Sequence, residues 1–451
     1  TGLERVVKQI VDGVQQDVAA EADSEVAPCD PEVLSHQVVV GDIPLAPPGF
    51  QPRASVLDRL DRAGARVSVI HTTTGLQGRG ATQLAAAYAR AKLAAGWRLV
   101  AWVNAADIGT MQAGLAAVTE AMGLIEDGSG RPVADADQAR RYLLETDGDR
   151  CLLVFDDVAD PETLSPFVPA DGMAQVLIVS TRHTASNLAT AVVADVFGTD
   201  EALSFLRRRT GLDDEARAAE VAAVLGHLPL ALALAAPLIR GQRYGYARYL
   251  DRLQAVSAEV SLAGDDGQRY PHGVVRAILL SLAAIRAADK TGTCSRVMAI
   301  LAVLSAAGVR RELLHVAGRA GVLAGGGRRI TADLVDQALE WLADRSLLTF
   351  SLDGQTVMMH RLVAQVIRDG QARRGRLAAV CWVAASVLEA HAIAVAPPQD
   401  RPAVRRIPQQ VTALLHHTAE LAERVDEELA EILLRLRVIS LYHLVELGDS
   451  A

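Results

Sequence analysis

Eight residues, Gly75-Leu76-Gln77-Gly78-Arg79-Gly80-Ala81-Thr82, have the types and spacing needed to grip a polyphosphate. They follow the apolar run Val67-Ser68-Val69-Ile70 and open a long Ala-rich stretch, so they lie between a predicted strand and a predicted helix. Glycines there let the backbone curl until successive N–H groups converge on one anion, and the helix start adds its positive end. The Thr82 hydroxyl is placed to bind a Mg²⁺ ion that accompanies the phosphates. Loops of this pattern carry a lysine before the hydroxyl residue, and this one carries Ala81. The missing charge-assisted contact costs about 1.5–3 kcal/mol, roughly 10- to 150-fold in affinity. The backbone grip is unaffected, so binding is expected to survive. Hydrolysis is expected to suffer more, because transition-state charge builds up where the lysine is absent. An engineered exchange and a naturally hydrolysis-poor site fit Ala81 equally. An ordinary strand-to-helix turn would account for the glycines taken alone.

A second signal lies downstream. Leu152-Leu153-Val154-Phe155-Asp156-Asp157 reads as an apolar strand ending in two carboxylates. Asp156 is expected to hold Mg²⁺ with Thr82, and Asp157 to polarise an attacking water. A solvated acidic turn is the bland alternative. Ser180-Thr181-Arg182 closes the next predicted strand, where strand ends line a ligand crevice, and Arg182 could sense a terminal phosphate through its forked donors. A plain surface arginine fits that position too.

The elements that must position these groups follow from hydrophobic patterning. Short, near-continuous apolar runs at Val67–Ile70, Leu99–Val103, Cys151–Phe155, Val176–Ser180 and Ala191–Val196 alternate with helical stretches. That pattern predicts a parallel sheet covered on both faces. After Gly198 helices take over, with four expected between about 200 and 260. A β-hairpin is expected from Leu347–Leu352 and Thr356–His360 across Asp353-Gly354, and helices beyond Gly375. Near the start, Leu3, Val6, Val7, Ile10, Val11, Val14 and Val18 recur at helical spacing. The expected division is an N-terminal amphipathic helix and linker (1–44), an α/β P-loop nucleotide-binding domain (45–198), an all-α domain (199–265), a winged-helix domain (266–375) and a C-terminal helical region (376–451) that starts a set of tetratricopeptide-like helical repeats.

Bulk properties narrow the function classes. At 451 residues the chain exceeds one core, and half its residues are apolar. A net charge of −9 argues against a broad nucleic-acid surface. The cysteines Cys29, Cys151, Cys294 and Cys381 are scattered, which argues against a zinc site and fits a reducing cytoplasm. No leader-like segment and no membrane-length apolar run is expected, so no membrane partner is. The chain begins at Thr1 rather than Met, so a piece of a longer protein is expected.

Taken in order, these motifs resemble the NB-ARC subgroup of STAND ATPases, P-loop signalling switches related to AAA+ proteins. Gly226-His227-Leu228-Pro229-Leu230-Ala231-Leu232 is similar to the family's GLPLAL motif, in which the proline packs on adenine. Val357-Met358-Met359-His360 is similar to its MHD motif, in which the histidine contacts the β-phosphate of ADP. Phe50-Gln51-Pro52-Arg53 stands where the family's linker cradles adenine. The resemblance spans about 45–375. It implies a nucleotide site of Phe50, Arg53, Gly75, Gly78, Arg79, Gly80, Ala81, Thr82, Gln83, Pro229 and His360, catalytic roles for Asp156, Asp157 and Arg182, and ATP/ADP with Mg²⁺ as ligands. Besides Ala81 there are two departures: Arg361 replaces the Asp that follows the histidine, and His227 interrupts GLPLAL. Actinobacterial proteins with C-terminal tetratricopeptide repeats are most similar. The implied cycle is an ADP-closed form and an ATP-open form that self-associates and activates an N-terminal effector or partner protein, with the trigger sensed by the repeats. A DNA-binding regulator with a winged helix and a nucleotide-dead scaffold are the alternatives.

Overall fold

The computed structural model describes residues 37–62, 67–71, 78–122, 150–159, 164, 167, 174–180, 190–241, 245–262, 272–395, 401–419 and 427–447. The helix expected over residues 3–18, Gly75 and Arg182 lie outside them.

The first elements are β1 (Val38–Val40), α1 (Ala54–Arg62), β2 (Val67–His71), α2 (Ala81–Ala94), β3 (Leu99–Asn104), α3 (Ile108–Ala121), β4 (Cys151–Val158), β5 (Gln175–Ser180) and β6 (Thr190–Val193). The strands form one parallel sheet in the order β1-β3-β4-β5-β2-β6. Strand β4 shows why the apolar runs are continuous. Its odd residues Cys151, Leu153 and Phe155 pack into a core with Met111, Leu115 and Val118 of α3. Its even residues Leu152 and Val154 pack into another with Val56 and Leu60 of α1 and Leu84 and Tyr88 of α2. With both faces dry, no residue from Cys151 to Phe155 can be polar without leaving a buried group unpaired.

Three details depart from the sequence expectation. Strand β4 does not end at its carboxylates but runs through them to Val158, with a register shift between Phe155 and Val158. Asp157 takes the strained φ of 69° that lets two residues bulge out of the ladder. Strand β6 stops at Val193, short of Val196. The expected linker also contains an element: Val38–Val40 pairs with Leu99–Ala101 as an edge strand. The segment then crosses to a second sheet, where the Leu45 N–H donates to the Phe350 carbonyl at 2.8 Å and the Leu352 N–H to the Ile43 carbonyl at 2.8 Å.

Four helices follow, as expected: α4 (Thr199–Thr210), α5 (Glu215–Val224), α6 (Pro229–Gly241) and α7 (Gly245–Leu262). The next module contains α8 (His272–Ala288), α9 (Thr293–Val303), β7 (Val309–Arg310), α10 (Arg311–Arg319), α11 (Ala332–Asp344), β8 (Leu348–Phe350), β9 (Thr356–Met359) and α12 (Arg361–Arg373). Its three strands form an antiparallel sheet in the order β7-β9-β8. Gly354 turns the hairpin at φ 72°. This unit is called the hairpin module below.

Helices α13 (Leu377–Ala394), α14 (Arg401–Ala419) and α15 (Glu427–Leu447) complete the described chain. A single apolar core runs from Phe197 to Leu436, so the helical units after the sheet are welded together. Helix α13 corrects one expectation, since it is long and apolar enough to cross a membrane. Cys381, Ala384, Ala385, Val387 and Leu388 on it are buried in that shared core, which accounts for its composition. Helix α14 also reaches back to the sheet domain. Arg405 pairs with Glu120 of α3, Arg401 lies 3.0 Å from the same carboxylate as a second ion-pair partner, and Arg406 pairs with Asp42.

Candidate functional site

The glycine loop leads from β2 into α2, and its described part is built for anion contact. Gly78 and Gly80 sit at φ 90° and 88°, conformations that a side chain makes costly. A Cβ placed on Gly80 would meet nothing within 4 Å, so the loop faces open space there. Ala81 and Thr82 begin α2, whose first N–H groups have no helical partner. Across that space the Thr82 hydroxyl donates to Asp156 Oδ1 at 3.1 Å. A hydroxyl beside a carboxylate is an all-oxygen donor pair of the kind Mg²⁺ takes. The Gln83 Oε1, at the same helix start, is buried with no protein partner, so the site leaves a polar atom for a ligand to satisfy.

The loop's neighbours are locked to it. The Leu230 N–H donates to the Gly78 carbonyl at 3.2 Å, which presses the first turn of α6, beginning at Pro229, against the loop. Arg79 pairs with Asp195 at 2.6 Å, and Arg53 donates to the Asp195 carbonyl at 2.6 Å while its guanidinium lies 4.8 Å from the Phe197 ring centroid. Phe50 lies 5.7 Å from Arg90. His360 enters from the hairpin module as the N-cap of α12, where its Nδ1 accepts from the Leu362 N–H at 3.1 Å. Arg361 then forms an ion pair with Asp157.

A cavity of about 740 Å³ joins these groups. Phe50, Arg53, Gly78, Arg79, Gly80, Ala81, Thr82, Gln83, Asp156, Asp157, Pro229 and His360 all line it, so every expected site residue within the described chain converges on one space. Gly75 and Arg182 lie outside the described residues. Three participants were not assigned from sequence. Arg361 was noted only as a departure. Asp195 lies directly after an apolar run, yet its pairing with Arg79, 116 residues away, has no local signal. Glu120 sits mid-chain in an Ala-rich helix and gives none either.

Electrostatics sharpen the roles. Burial pushes Asp156 up to about 6, against opposing pulls from the Thr82 bond and Arg361. Its protonated form is therefore favoured in the folded chain between 3.8 and about 6. That contribution to stability is full below 3.8 and is lost as pH rises through about 6. Only the ionised form can hold a cation. We therefore expect the Mg²⁺-dependent part of nucleotide affinity to be about tenfold weaker at pH 5 than at pH 7.5, the effect of one proton competing at a pKa near 6. The Asp156→Asn chain should lose this dependence. Calorimetric titrations across pH would check it, and matching profiles for the two chains would contradict it.

The parallel sheet, with a glycine loop between a strand and its helix and an acidic strand end facing that loop, settles the architecture. The fold is that of an α/β P-loop NTPase domain followed by helical domains. No protein-family model matches the sequence, and no curated protein matches it. Among solved structures, the chain is similar to a Signal Transduction ATPase with Numerous Domains (STAND) protein with a tetratricopeptide repeat sensor from Pyrococcus horikoshii. That match has 14% identity and a TM-score of 0.48, covering 91% of this chain and 60% of that one. The chain thus spans about three-fifths of that protein's length. It is also similar to the ORC2 protein of Aeropyrum pernix in ADPNP–ADP complexes, at 15% identity and a TM-score of 0.30, covering 73% of this chain and 97% of the other. Drosophila ORC bound to DNA matches at 13% identity and a TM-score of 0.28, covering 79% and 98%.

Proposed function

We propose that the chain is an ATP/ADP-operated signalling switch of the NB-ARC type, with very slow hydrolysis. One observation carries the reading: the glycine loop, the start of α6 and His360 come from three separate units and line one cavity. On this reading the amides from Gly78 to Thr82 hold the phosphates, and Pro229 and Phe50 flank the base. Thr82 and Asp156 hold Mg²⁺, whose charge offsets that of the phosphates when it is bound. His360 is neutral at pH 7, because burial holds its pKa down to about 4. With Nδ1 accepting from Leu362, its remaining proton sits on Nε2, which is then the atom left to donate to a phosphate. The hairpin module, read as a winged helix, thereby closes over the ligand.

One feature supports slow turnover: Ala81 withholds a charge from the transition state. The ion pairs from α14 to Glu120 and Asp42 give the C-terminal helices a direct hold on the closed form. A signal received by the C-terminal helical region is transmitted through them, and ATP favours an open form that self-associates and engages an effector. The DNA-binding alternative would draw on Arg310, Arg311, Arg328 and Arg329 of the hairpin module, and it is weakened by the pairing of Arg310 with Glu312 and of Arg311 with Asp336, which leaves Arg328 and Arg329 as the exposed pair.

Light scattering and phosphate release on the purified chain test the proposal. ADP should leave the particle size unchanged and ATP with Mg²⁺ should enlarge it. Turnover should stay below about 0.1 per second, against the ~1–1000 per second of typical enzymes. Rapid turnover, or assembly driven by ADP, would refute it.

A further inference from the structure

The loop that should face the phosphates carries no cationic side chain at the position next to Thr82, because Ala81 stands there. The described basic residues around the cavity are Arg53, Arg79, Arg361, Arg405 and Arg406. Four are directed elsewhere: Arg79 and Arg53 to Asp195, Arg405 to Glu120 and Arg406 to Asp42. Arg361 differs. Its partner is Asp157, beside Asp156, on the strand end that faces the loop. As the first residue of α12 it directly follows His360, and both residues line the cavity. Its side chain keeps 43% exposure and has room to turn from the carboxylate toward an incoming anion.

We propose that Arg361 supplies, from the hairpin module, the phosphate-neutralising charge that Ala81 withholds from the loop. This rests on the nucleotide reading above and names the group that meets the β-phosphate of a nucleoside di- or triphosphate. A polyphosphate carries several negative charges against the single one of Asp157, and a guanidinium fork suits phosphate oxygens. The ligand therefore draws Arg361 away from Asp157. A loop lysine would be present in the open and closed forms alike. Arg361 rides on a separate module and reaches the phosphates only when the units are closed. Moving the charge makes tight binding a property of the closed form alone, which is the differential affinity that a ligand needs to hold one state.

A cycle of variants in the full chain, titrated calorimetrically with ADP, tests this. Arg361→Ala should weaken ADP about 10- to 150-fold. Ala81→Lys should gain little while Arg361 is present, under about threefold, yet should restore Arg361→Ala to near the parental affinity. Asp157→Asn should tighten ADP severalfold by releasing Arg361, whereas it should weaken ADP if the ion pair merely braces the closed structure. Thermal unfolding without nucleotide reports whether each variant folds, and the rescue by Ala81→Lys can be read only in a folded chain. Unchanged affinity in Arg361→Ala, additive effects of the two substitutions, or weakening by Asp157→Asn would each overturn the assignment while leaving nucleotide binding intact. A parental chain that binds no ADP would instead overturn the underlying reading together with it.

Discussion

Gly80→Val should abolish stabilisation by ADP. Gly80 holds φ 88°, where a β-branched residue is strained by about 1–3 kcal/mol. Strain lowers stability but does not by itself remove a ligand site. The larger effect comes from where the side chain goes. A Cβ at Gly80 meets no protein atom within 4 Å, so the valine methyls extend into the space left for phosphate. The backbone must also leave its curl to relieve the strain, which turns the amides off the anion. Affinity should fall more than about 100-fold, over 2.7 kcal/mol. In thermal unfolding, ADP at 100 times its dissociation constant adds about 2.7 kcal/mol to the unaltered chain, and the same concentration should add less than about 0.4 kcal/mol to the variant. Gly96→Val is the matched control. Gly96 sits at φ 71° with nothing within 4 Å of its Cβ, so its strain is similar, but it lies beyond the far end of α2. That variant should lose stability and keep the full ADP increment. Equal ADP responses in the two variants would remove the loop from the site.

Much of this arrangement was legible in the sequence, for physical reasons. Strands buried on both faces must be almost wholly apolar, so β3 to β5 stand out as runs. The loop is legible because glycine is the residue suited to its positive φ values, and the hairpin because Asp353-Gly354 marks a turn, although the turn is wider than the two residues expected and closes with the Gly354 N–H donating to the Ser351 carbonyl at 2.9 Å. What escaped depends on partners distant in sequence. Val38–Val40 is too short to register as a strand, and β3 makes it one by pairing along its edge. The bulge at Asp156-Asp157 is set by register against β5 rather than by local propensity. The apolar length of Leu377–Ala394 was missed, since no run of membrane-spanning length was expected; buried in the shared core, this helix has the composition of one surrounded by lipid. Arg361 showed only as a mismatch to a pattern, since its ion pair joins positions 204 residues apart, 361 minus 157.

The histidine that caps α12 carries the second large effect. Loss of the His360 side chain removes the acceptor for the Leu362 N–H and should cost about 1 kcal/mol of stability. Because burial lowers its pKa to about 4, stability from this group is present above 6.5 and lost as pH falls through about 4. At pH 7 the group is neutral and lines the cavity, and a hydrogen bond from its Nε2 proton to a charged phosphate would be worth about 1.5–3 kcal/mol. The decisive measurement is the ADP dissociation constant of the unaltered chain against that of His360→Ala at pH 7.5, by calorimetry. A unit reaching across from the sequence's far side to share the ligand requires at least a tenfold loss. Identical constants would mean that the hairpin module does not touch the nucleotide, and the switch described above would not exist.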